Sequence, residues 1–240
     1  MSVASPVHRL QGQLIVSCQP VPDGPFDHPE IVAAYVRAAL TGGSEGFRIE
    51  GAANIRMARE ATDKPIIGLI KRPFGEVPHW ITGTVADVDA TIDAGADIVA
   101  IDATDRSRPT SVEALFQRAR DRDVPVLADV STSAEARKAT RLGADAIATT
   151  LSLDCKDDNG RPCPDFGLIG NLSGTLDIPI LAEGNVRTPD DAAQAKRAGA
   201  WAVVVGSAIT RPEFVTRWFA DAMGDGDETS NLKHSTAGSK

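Results

Sequence analysis

Short apolar runs alternate with longer amphipathic stretches along most of this chain, with a spacing of roughly 25 to 30 residues. The apolar runs are rich in Val and Ile and almost continuously apolar, which is typical of strands buried on both faces of a parallel sheet. This pattern predicts eight strands, at 13–19, 46–50, 65–71, 97–102, 125–130, 145–150, 179–184 and 202–206.

The stretches between these runs have helical character. They predict helices at 29–41, 52–62, 85–94, 112–122, 134–142, 166–176, 190–198 and 212–223. Three of them end in a small turn whose glycine, Gly95, Gly143 or Gly199, suits the left-handed position after a helix. Thr188 followed by Pro189 is a typical helix start, with a capping hydroxyl before a proline in the first turn.

Eight strand–helix units in a chain of 240 residues favour one closed (β/α)8 barrel, the TIM-barrel architecture. Two small domains and an open doubly wound sheet are the alternatives, but no break in composition marks a linker. We therefore predict a single catalytic domain over 1–223, followed by a polar tail over 224–240 that we expect to be disordered.

Charge and composition exclude several classes of protein. The chain has 25 basic and 33 acidic residues, a net charge of −8, and this acidity disfavours nucleic-acid binding. No apolar run has the length of a membrane span, and Met1–Gly12 does not resemble a secretion signal. With three cysteines in no regular spacing, we expect no disulfide framework and a cytoplasmic location.

Polar side chains follow nearly every predicted strand. Because catalytic groups of such barrels lie at the carboxyl ends of the strands, these side chains are the candidate site. They are Gln19, Arg48, Lys71, Asp102, Asp129, Thr149, Thr150, Glu183, Gly206 and Ser207. A single polar residue at a strand end could simply mark the exit to solvent, but a set that converges on one barrel mouth indicates chemistry.

Lys71 directly follows an apolar strand, so burial and a neighbouring Arg48 would favour its neutral amine. Asp129 and Glu183 would favour the charged form, and the sequence leaves the direction of the pKa shift open. A lysine in this position can be a general base, a Schiff-base nucleophile or a phosphate ligand. Glu183 and Asp129 could serve as acid/base and hydroxyl-binding groups, or only neutralise the cations.

Glycines in the last two units predict a phosphate site. Gly184 and Asn185 follow the seventh strand, Gly206 and Ser207 follow the eighth, and Arg211 lies just beyond them. Loops after these two strands commonly bind phosphate through backbone amides, and an arginine can hold an anionic oxygen with two hydrogen bonds.

A metal centre is not expected. The histidines His8, His28, His79 and His234 do not follow predicted strands. Cys155 and Cys163 are eight residues apart in a polar segment, and no further cysteine or histidine nearby completes a zinc ligand set. We expect no metal and no other cofactor.

Nine segments carry a family resemblance. They are Val16–Gln19, the segment 46–48, Ile67–Arg72, Ala100–Thr104, Arg106–Pro109, Ala128–Thr132, Thr149–Ser152, Pro179–Gly184 and Val203–Pro212. Together they resemble the N-acetylmannosamine-6-phosphate 2-epimerases over about 13–223. The resemblance implies interconversion of N-acetylmannosamine 6-phosphate and N-acetylglucosamine 6-phosphate, in sialic acid and amino-sugar breakdown, without a redox cofactor.

The same resemblance implies a role for each matching residue. Lys71 would be the base at C2 and Glu183 its acid/base partner in ring opening. The sugar contacts would be Gln19, Arg48 and Asp129, and the phosphate contacts Gly184, Asn185, Gly206, Ser207 and Arg211. The sequence leaves open whether one base serves both faces of C2.

Two departures from the family pattern affect the substrate contacts. Leu153-Asp154-Cys155 stands where a Gly-Tyr-Thr type of segment is frequent, and Asn185 stands where an arginine is frequent. The loop after the sixth strand, and one phosphate contact, could therefore differ.

Other functions remain as alternatives. They are another phosphate-binding barrel, either a ketose isomerase or a Schiff-base lyase using Lys71, and a non-catalytic sugar-phosphate-binding protein. The last predicted helix carries Phe214, Trp218, Phe219 and Met223, which either pack on the barrel or form a dimer contact. The resemblance favours a homodimer with a small-molecule sugar phosphate as its ligand.

Overall fold

The computed structural model describes residues 5–75, 77–158 and 160–224. Eight parallel strands close into a barrel in the order β1-β10-β9-β8-β7-β6-β3-β2, which confirms the predicted (β/α)8 class. The barrel strands are β1 (Leu14–Cys18), β2 (Gly46–Glu50), β3 (Ile66–Leu69), β6 (Ile98–Asp102), β7 (Val126–Asp129), β8 (Ala146–Ala148), β9 (Ile180–Ala182) and β10 (Ala202–Val205). The predicted tail lies outside the described residues, apart from Gly224.

Helices surround the barrel and follow the predicted positions closely. They are α1 (Pro6–Arg9), α2 (Pro29–Thr41), α3 (Ala52–Ala61), α4 (Val85–Asp93), α5 (Val112–Asp121), α6 (Ser133–Leu142), α7 (Phe166–Thr175), α8 (Pro189–Arg197), α9 (Ser207–Thr210) and α10 (Pro212–Met223). Gly95, Gly143 and Gly199 all have positive φ, between 95° and 104°, as the turn after a helix requires. Within the described ranges, no helix combines the length and apolarity needed to cross a bilayer.

Three elements were not predicted from the sequence. An antiparallel hairpin of β4 (Lys71–Phe74) and β5 (Val77–Ile81) is inserted between β3 and α4. The short helices α1 and α9 are the other two. The hairpin sequence shows little alternation of apolar and polar residues, and it contains two prolines, Pro73 and Pro78. Neither property is typical of a strand, so the sequence did not predict it.

Helix α1 closes the amino end of the barrel. Val7 and Leu10 belong to the same apolar cluster as the inward-facing Ile15, Ile67 and Leu127. Leu10 is completely buried, and it lies so close to Gly46 that a Cβ added there would be 2.4 Å from Leu10 Cδ2. Side chains of this cluster therefore fill the barrel from its amino end.

Three helix starts share a capping box, in which a threonine hydroxyl and a carboxylate three residues later satisfy each other's backbone amides. The boxes are Thr84 with Asp87 at α4, Thr132 with Glu135 at α6, and Thr188 with Asp191 at α8. All three lie at the carboxyl end of the barrel, where helices begin.

Each box carboxylate also fastens a loop of the barrel mouth. Arg72 Nε donates to Asp87 Oδ1 at 2.6 Å, the Asp105 amide donates to Glu135 Oε1 at 3.1 Å, and Arg161 Nη2 donates to Asp191 Oδ1 at 2.8 Å. These contacts connect the β4–β5 hairpin, the loop after β6 and the loop after β8 to helix N-termini. The mouth is thereby built on the helices around it.

Candidate active site

A cavity of about 470 Å³ opens at the carboxyl end of the barrel. Nine of the thirteen candidate residues line it: Gln19, Lys71, Thr150, Glu183, Gly184, Asn185, Gly206, Ser207 and Arg211. Their convergence follows from the parallel register, which brings the carboxyl ends of all eight strands to one rim. The candidates Arg48, Asp102, Asp129 and Thr149 are buried and do not line the cavity.

Arg48 and Asp129 lie beneath the cavity and do not line it. Both are fully buried, and the guanidinium forms two parallel hydrogen bonds to the carboxylate, at 3.0 and 2.7 Å. Thr150, which does line the cavity, donates its hydroxyl to Asp129 Oδ1 at 2.5 Å. The pair therefore forms a charged floor, one layer below the residues that a ligand would touch.

Glu183 connects this floor to the cavity. Its carbonyl accepts from Thr149 Oγ1 at 3.0 Å and its amide donates to the same oxygen at 3.2 Å, which fixes the backbone. Glu183 Oε2 lies 2.9 Å from Arg48 Nη1, but this buried oxygen accepts no hydrogen bond. Burial and the nearby Asp129 raise the pKa of Glu183 to about 7, against the opposing effect of Arg48.

Lys71 begins the hairpin directly above β3. Burial, then the positive charges of Arg211 and Arg48, lower its pKa to about 8, while Glu50 and Glu183 oppose this shift. The sequence left the direction of the Lys71 pKa shift open, and in the structure the shift is downward, which favours the neutral amine. A lysine with a pKa near 8 and a glutamate with a pKa near 7 face one cavity, as acid–base chemistry near neutral pH requires.

Glu50 is a residue that the sequence analysis did not single out as part of the site. It ends β2, and its Oε1 accepts the backbone amide of Lys71 at 3.3 Å. Burial raises the pKa of Glu50, partly offset by that hydrogen bond and by the charge of Lys71. Its position at the end of a strand was the available signal, but Arg48 was taken as the polar residue of that strand end.

The loop after β9 forms one wall of the cavity. Gly184 and Asn185 both adopt positive φ, at 104° and 55°, a tight turn that glycine and asparagine tolerate best. Asn185 Nδ2 donates to the Leu153 carbonyl at 3.3 Å, which joins this loop to the loop after β8. Arg187 lies two residues beyond Asn185, lines the same cavity and stacks over Trp218 at 4.8 Å.

The opposite wall is formed by Gly206, Ser207 and Arg211. Thr210 Oγ1 donates to the Ser17 carbonyl at 2.7 Å, and Arg211 Nε donates to the Gln19 carbonyl at 2.7 Å. These bonds hold the short helix α9 and Arg211 against the end of β1. The first amides of a helix have no partner inside it, so the Ser207 turn can donate to an anion.

Several cavity residues were missed from the sequence. They are Ser17, Leu153, Pro162, Val186, Arg187, Val204, Phe214 and Trp218. Most belong to loops or to α10, where no periodicity indicates which side chain turns inward. Across the described ranges, no group of three His, Cys, Asp or Glu side chains is arranged to hold a metal ion.

Comparisons with known proteins agree with the geometry. The sequence profile of the NanE family, described as "Putative N-acetylmannosamine-6-phosphate epimerase", matches residues 32–225. A protein of Escherichia coli O1:K1, named "Putative N-acetylmannosamine-6-phosphate 2-epimerase", is 47% identical over 88% of this chain and 92% of its own length. A Brucella melitensis "Bifunctional enzyme NanE/NanK" is 51% identical over 90% of this chain, which spans only 42% of that relative.

A solved structure gives the same result. The N-acetylmannosamine-6-phosphate 2-epimerase from Clostridium perfringens superposes with a TM-score of 0.85 at 36% identity. The match covers 90% of this chain and 96% of that chain. A thiamine phosphate pyrophosphorylase from Pyrococcus furiosus, at 18% identity and a TM-score of 0.58, shares the fold alone.

Proposed function

Because this chain belongs to the NanE family of N-acetylmannosamine-6-phosphate epimerases, we propose that it interconverts N-acetylmannosamine 6-phosphate and N-acetylglucosamine 6-phosphate. Such a reaction serves sialic acid and amino-sugar breakdown. The observation that carries the proposal is the shared cavity, which Lys71 and Glu183 line together with glycines and Arg211 of the segments after β9 and β10. One side offers proton transfer and the other offers anion binding.

The proposed reaction begins with opening of the sugar ring. The C2 proton of the closed sugar is not acidic, but the open chain carries an aldehyde at C1, next to C2. Glu183, with a pKa of about 7, moves the proton for ring opening and donates to O1 as negative charge develops there. Glu183 lines the cavity, so its carboxyl group can reach the substrate, while its Oε2 lies 2.9 Å from Arg48 Nη1.

Lys71 is the proposed base at C2. A pKa of about 8 leaves a useful fraction of neutral amine near neutral pH, and the amine takes the C2 proton to give an enolate whose negative charge lies on O1. Return of a proton to the opposite face inverts C2. Deuterium uptake distinguishes one base from two, because a single base can carry part of the original proton across while separate bases exchange with solvent.

Arg48 and Asp129 act from below in this proposal. Arg48 contacts both Asp129 and Glu183, so it holds the Glu183 carboxylate in place and limits the rise of its pKa. Asp129 in turn fixes the guanidinium and the Thr150 hydroxyl. Of the three expected sugar contacts, Gln19, Arg48 and Asp129, only Gln19 lines the cavity. Thr150 and Glu183 line it as well.

The phosphate is proposed to bind between the loops after β9 and β10. Gly184, Asn185, Gly206 and Ser207 supply the turns, and Arg211 supplies a cation. Arg187 adds a second cation from the same loop as Asn185. Position 185 is the one at which an arginine is frequent in the family. The phosphate takes no part in the chemistry, but its binding energy holds C2 against Lys71.

A homodimer remains part of the proposal, through two of the four α10 residues named from the sequence. Phe214 and Trp218 line the cavity, so that face of α10 is directed to the barrel mouth. Phe219 and Met223 are 68% and 84% exposed, and they are the apolar side chains available to a second copy. Light scattering of the purified chain and of Phe219→Asp should give a dimer and a monomer respectively.

Incubation of the purified protein with N-acetylmannosamine 6-phosphate in deuterated water tests the function. Proton NMR should show the gluco epimer with deuterium at C2, unchanged by a chelator. A covalent adduct trapped by borohydride would favour a Schiff-base lyase, and appearance of a ketose would favour an isomerase. Binding without turnover would favour a sugar-phosphate-binding protein.

A further inference from the structure

Two cysteines face each other in the loop after β8, beside the cavity. Lys156 and Pro162 form an antiparallel bridge, which places Cys155 directly opposite Cys163. The Cys163 amide donates to the Cys155 carbonyl at 3.2 Å, and the two sulfur atoms are 3.5 Å apart. Opposite residues of an antiparallel pair have Cα atoms about 5.5 Å apart, within the range that a disulfide spans.

The immediate neighbours of this thiol pair form part of the cavity wall. Leu153 precedes Cys155 by two residues, Pro162 directly precedes Cys163, and both line the cavity. Arg161 fastens the same loop to Asp191 at the start of α8. The backbone around the pair is therefore already held in the paired arrangement, and bond formation needs only side-chain rotation.

We infer that Cys155 and Cys163 form a reversible oxidation site, at which a peroxide converts the two thiols into a disulfide that cross-links this wall. The third cysteine, Cys18, is buried in β1 and belongs to a different apolar cluster. Oxidation at this pair is independent of the proposed epimerase reaction.

The order of events follows from exposure. Cys155 is partly exposed, whereas Cys163 is 4% exposed and burial raises the pKa of its thiol to about 11. Peroxide therefore meets Cys155 first: its sulfur takes one peroxide oxygen, the O–O bond breaks, and one water leaves. Cys163 sulfur then attacks the sulfenic sulfur, the S–O bond breaks, and the Cys163 proton leaves with the hydroxide as a second water.

Peptide mapping tests the site on the full chain. The reduced protein is treated with one equivalent of hydrogen peroxide, alkylated and cut with trypsin without reductant. Trypsin separates Cys155, in peptide 142–156, from Cys163, in peptide 157–187, so a disulfide appears as these two peptides joined with the loss of two hydrogens. Peptide 10–37, with Cys18, should remain alkylated, and dithiothreitol should restore both thiols.

Matched variants and a second readout complete the experiment. Cys18→Ser should still form the link, and Cys155→Ser and Cys163→Ser should not. Amide hydrogen exchange in peptides covering the loop after β8 should slow on oxidation while the barrel strands stay unchanged. Irreversible oxidation of Cys155 without a link, a link between two chains, or stoichiometric zinc retained by the reduced thiols would each overturn the inference.

Discussion

Each end of the barrel carries an arginine–carboxylate pair, and the two pairs have very different surroundings. At the carboxyl end, Arg48 and Asp129 meet at 2.7 Å with side chains 1% and 0% exposed. At the amino end, Arg59 and Asp97 meet at 2.8 Å with side chains 28% and 31% exposed. The two distances are nearly equal, so the difference lies in what surrounds each pair.

The amino-end pair is well satisfied. Arg59 also donates to the Thr62 and Lys64 carbonyls, and Asp97 also accepts the Ile66 amide. The cluster of Arg48, Asp129 and Glu183 at the carboxyl end is not fully hydrogen-bonded, because Arg48 Nε and Glu183 Oε2 are buried without a hydrogen-bond partner. Buried polar atoms of this kind are costly, and a functional site can retain them at the expense of stability. The amino end therefore serves stability, whereas the carboxyl end retains polar groups for chemistry.

The largest expected effect is the loss of proton transfer in Lys71→Met. Removal of a general base slows C2 exchange by roughly 10²- to 10⁴-fold, and the melting temperature should not fall, because a buried amine is replaced by an apolar chain. Deuterium uptake at C2 measures the rate. The control, Lys64→Met at the amino end, removes a lysine paired with Glu45 and should exchange at the native rate. Native-rate exchange by Lys71→Met would refute the assignment of the base.

The comparison between the two arginines can be measured directly. Arg48→Met leaves Asp129 and Glu183 buried without their cation and should lose about 3–5 kcal/mol of unfolding free energy. Arg59→Met breaks a partly exposed pair and should lose only about 1–2 kcal/mol. Urea unfolding of both variants gives the two numbers. Equal losses of unfolding free energy in the two variants would contradict the proposed difference between the buried and the partly exposed ion pair.

A substitution of Leu10, in the apolar cluster at the amino end of the barrel, should lower stability without lowering activity. Leu10→Ala removes a fully buried side chain from the cluster beneath the barrel and should cost about 2–5 kcal/mol. Below the melting transition, kcat/KM for the sugar phosphate should stay at the native value, since the cavity lies at the opposite end. A fall in kcat/KM in fully folded Leu10→Ala would show that the two ends are coupled.

The smallest expected effect concerns pH. The neutral amine of Lys71 is the active form, so kcat/KM should rise as pH rises through about 8. Glu50 raises the pKa of Lys71, and Glu50→Gln removes that charge while keeping an acceptor for the Lys71 amide. The rising limb should therefore move to lower pH, with a gain of less than about tenfold at pH 7.

The control for this variant is Glu60→Gln, which changes an exposed carboxylate on α3. Its pH profile should superpose on that of the native protein. A shift of the Glu50→Gln limb to higher pH would contradict the proposed electrostatic effect on Lys71.

The sequence predicted the barrel because its strands are buried on both faces and its helices lie between them with regular spacing. Nine of the thirteen candidate residues line the cavity, since parallel strands bring their carboxyl ends and the loops that follow them to one mouth. The depth of Arg48 and Asp129 below the cavity could not be predicted, because it depends on the register of β2 and β7 with their neighbouring strands. The inserted hairpin, Glu50 and the inward face of α10 likewise depend on tertiary packing.

The three capping boxes make the barrel mouth sensitive to acid. Asp87, Glu135 and Asp191 each close a helix start and hold a neighbouring loop, so loop order and helix nucleation are one cooperative event. Hydrogen bonds lower the pKa of Glu135 and of Asp191 against the opposing effect of burial. The stabilisation that these two ionised carboxylates give to the folded state is present above their unfolded-state pKa values. It is lost as the pH falls through their lower folded-state pKa values. Acid should therefore release the mouth loops and the first helical turns together, before the barrel strands separate.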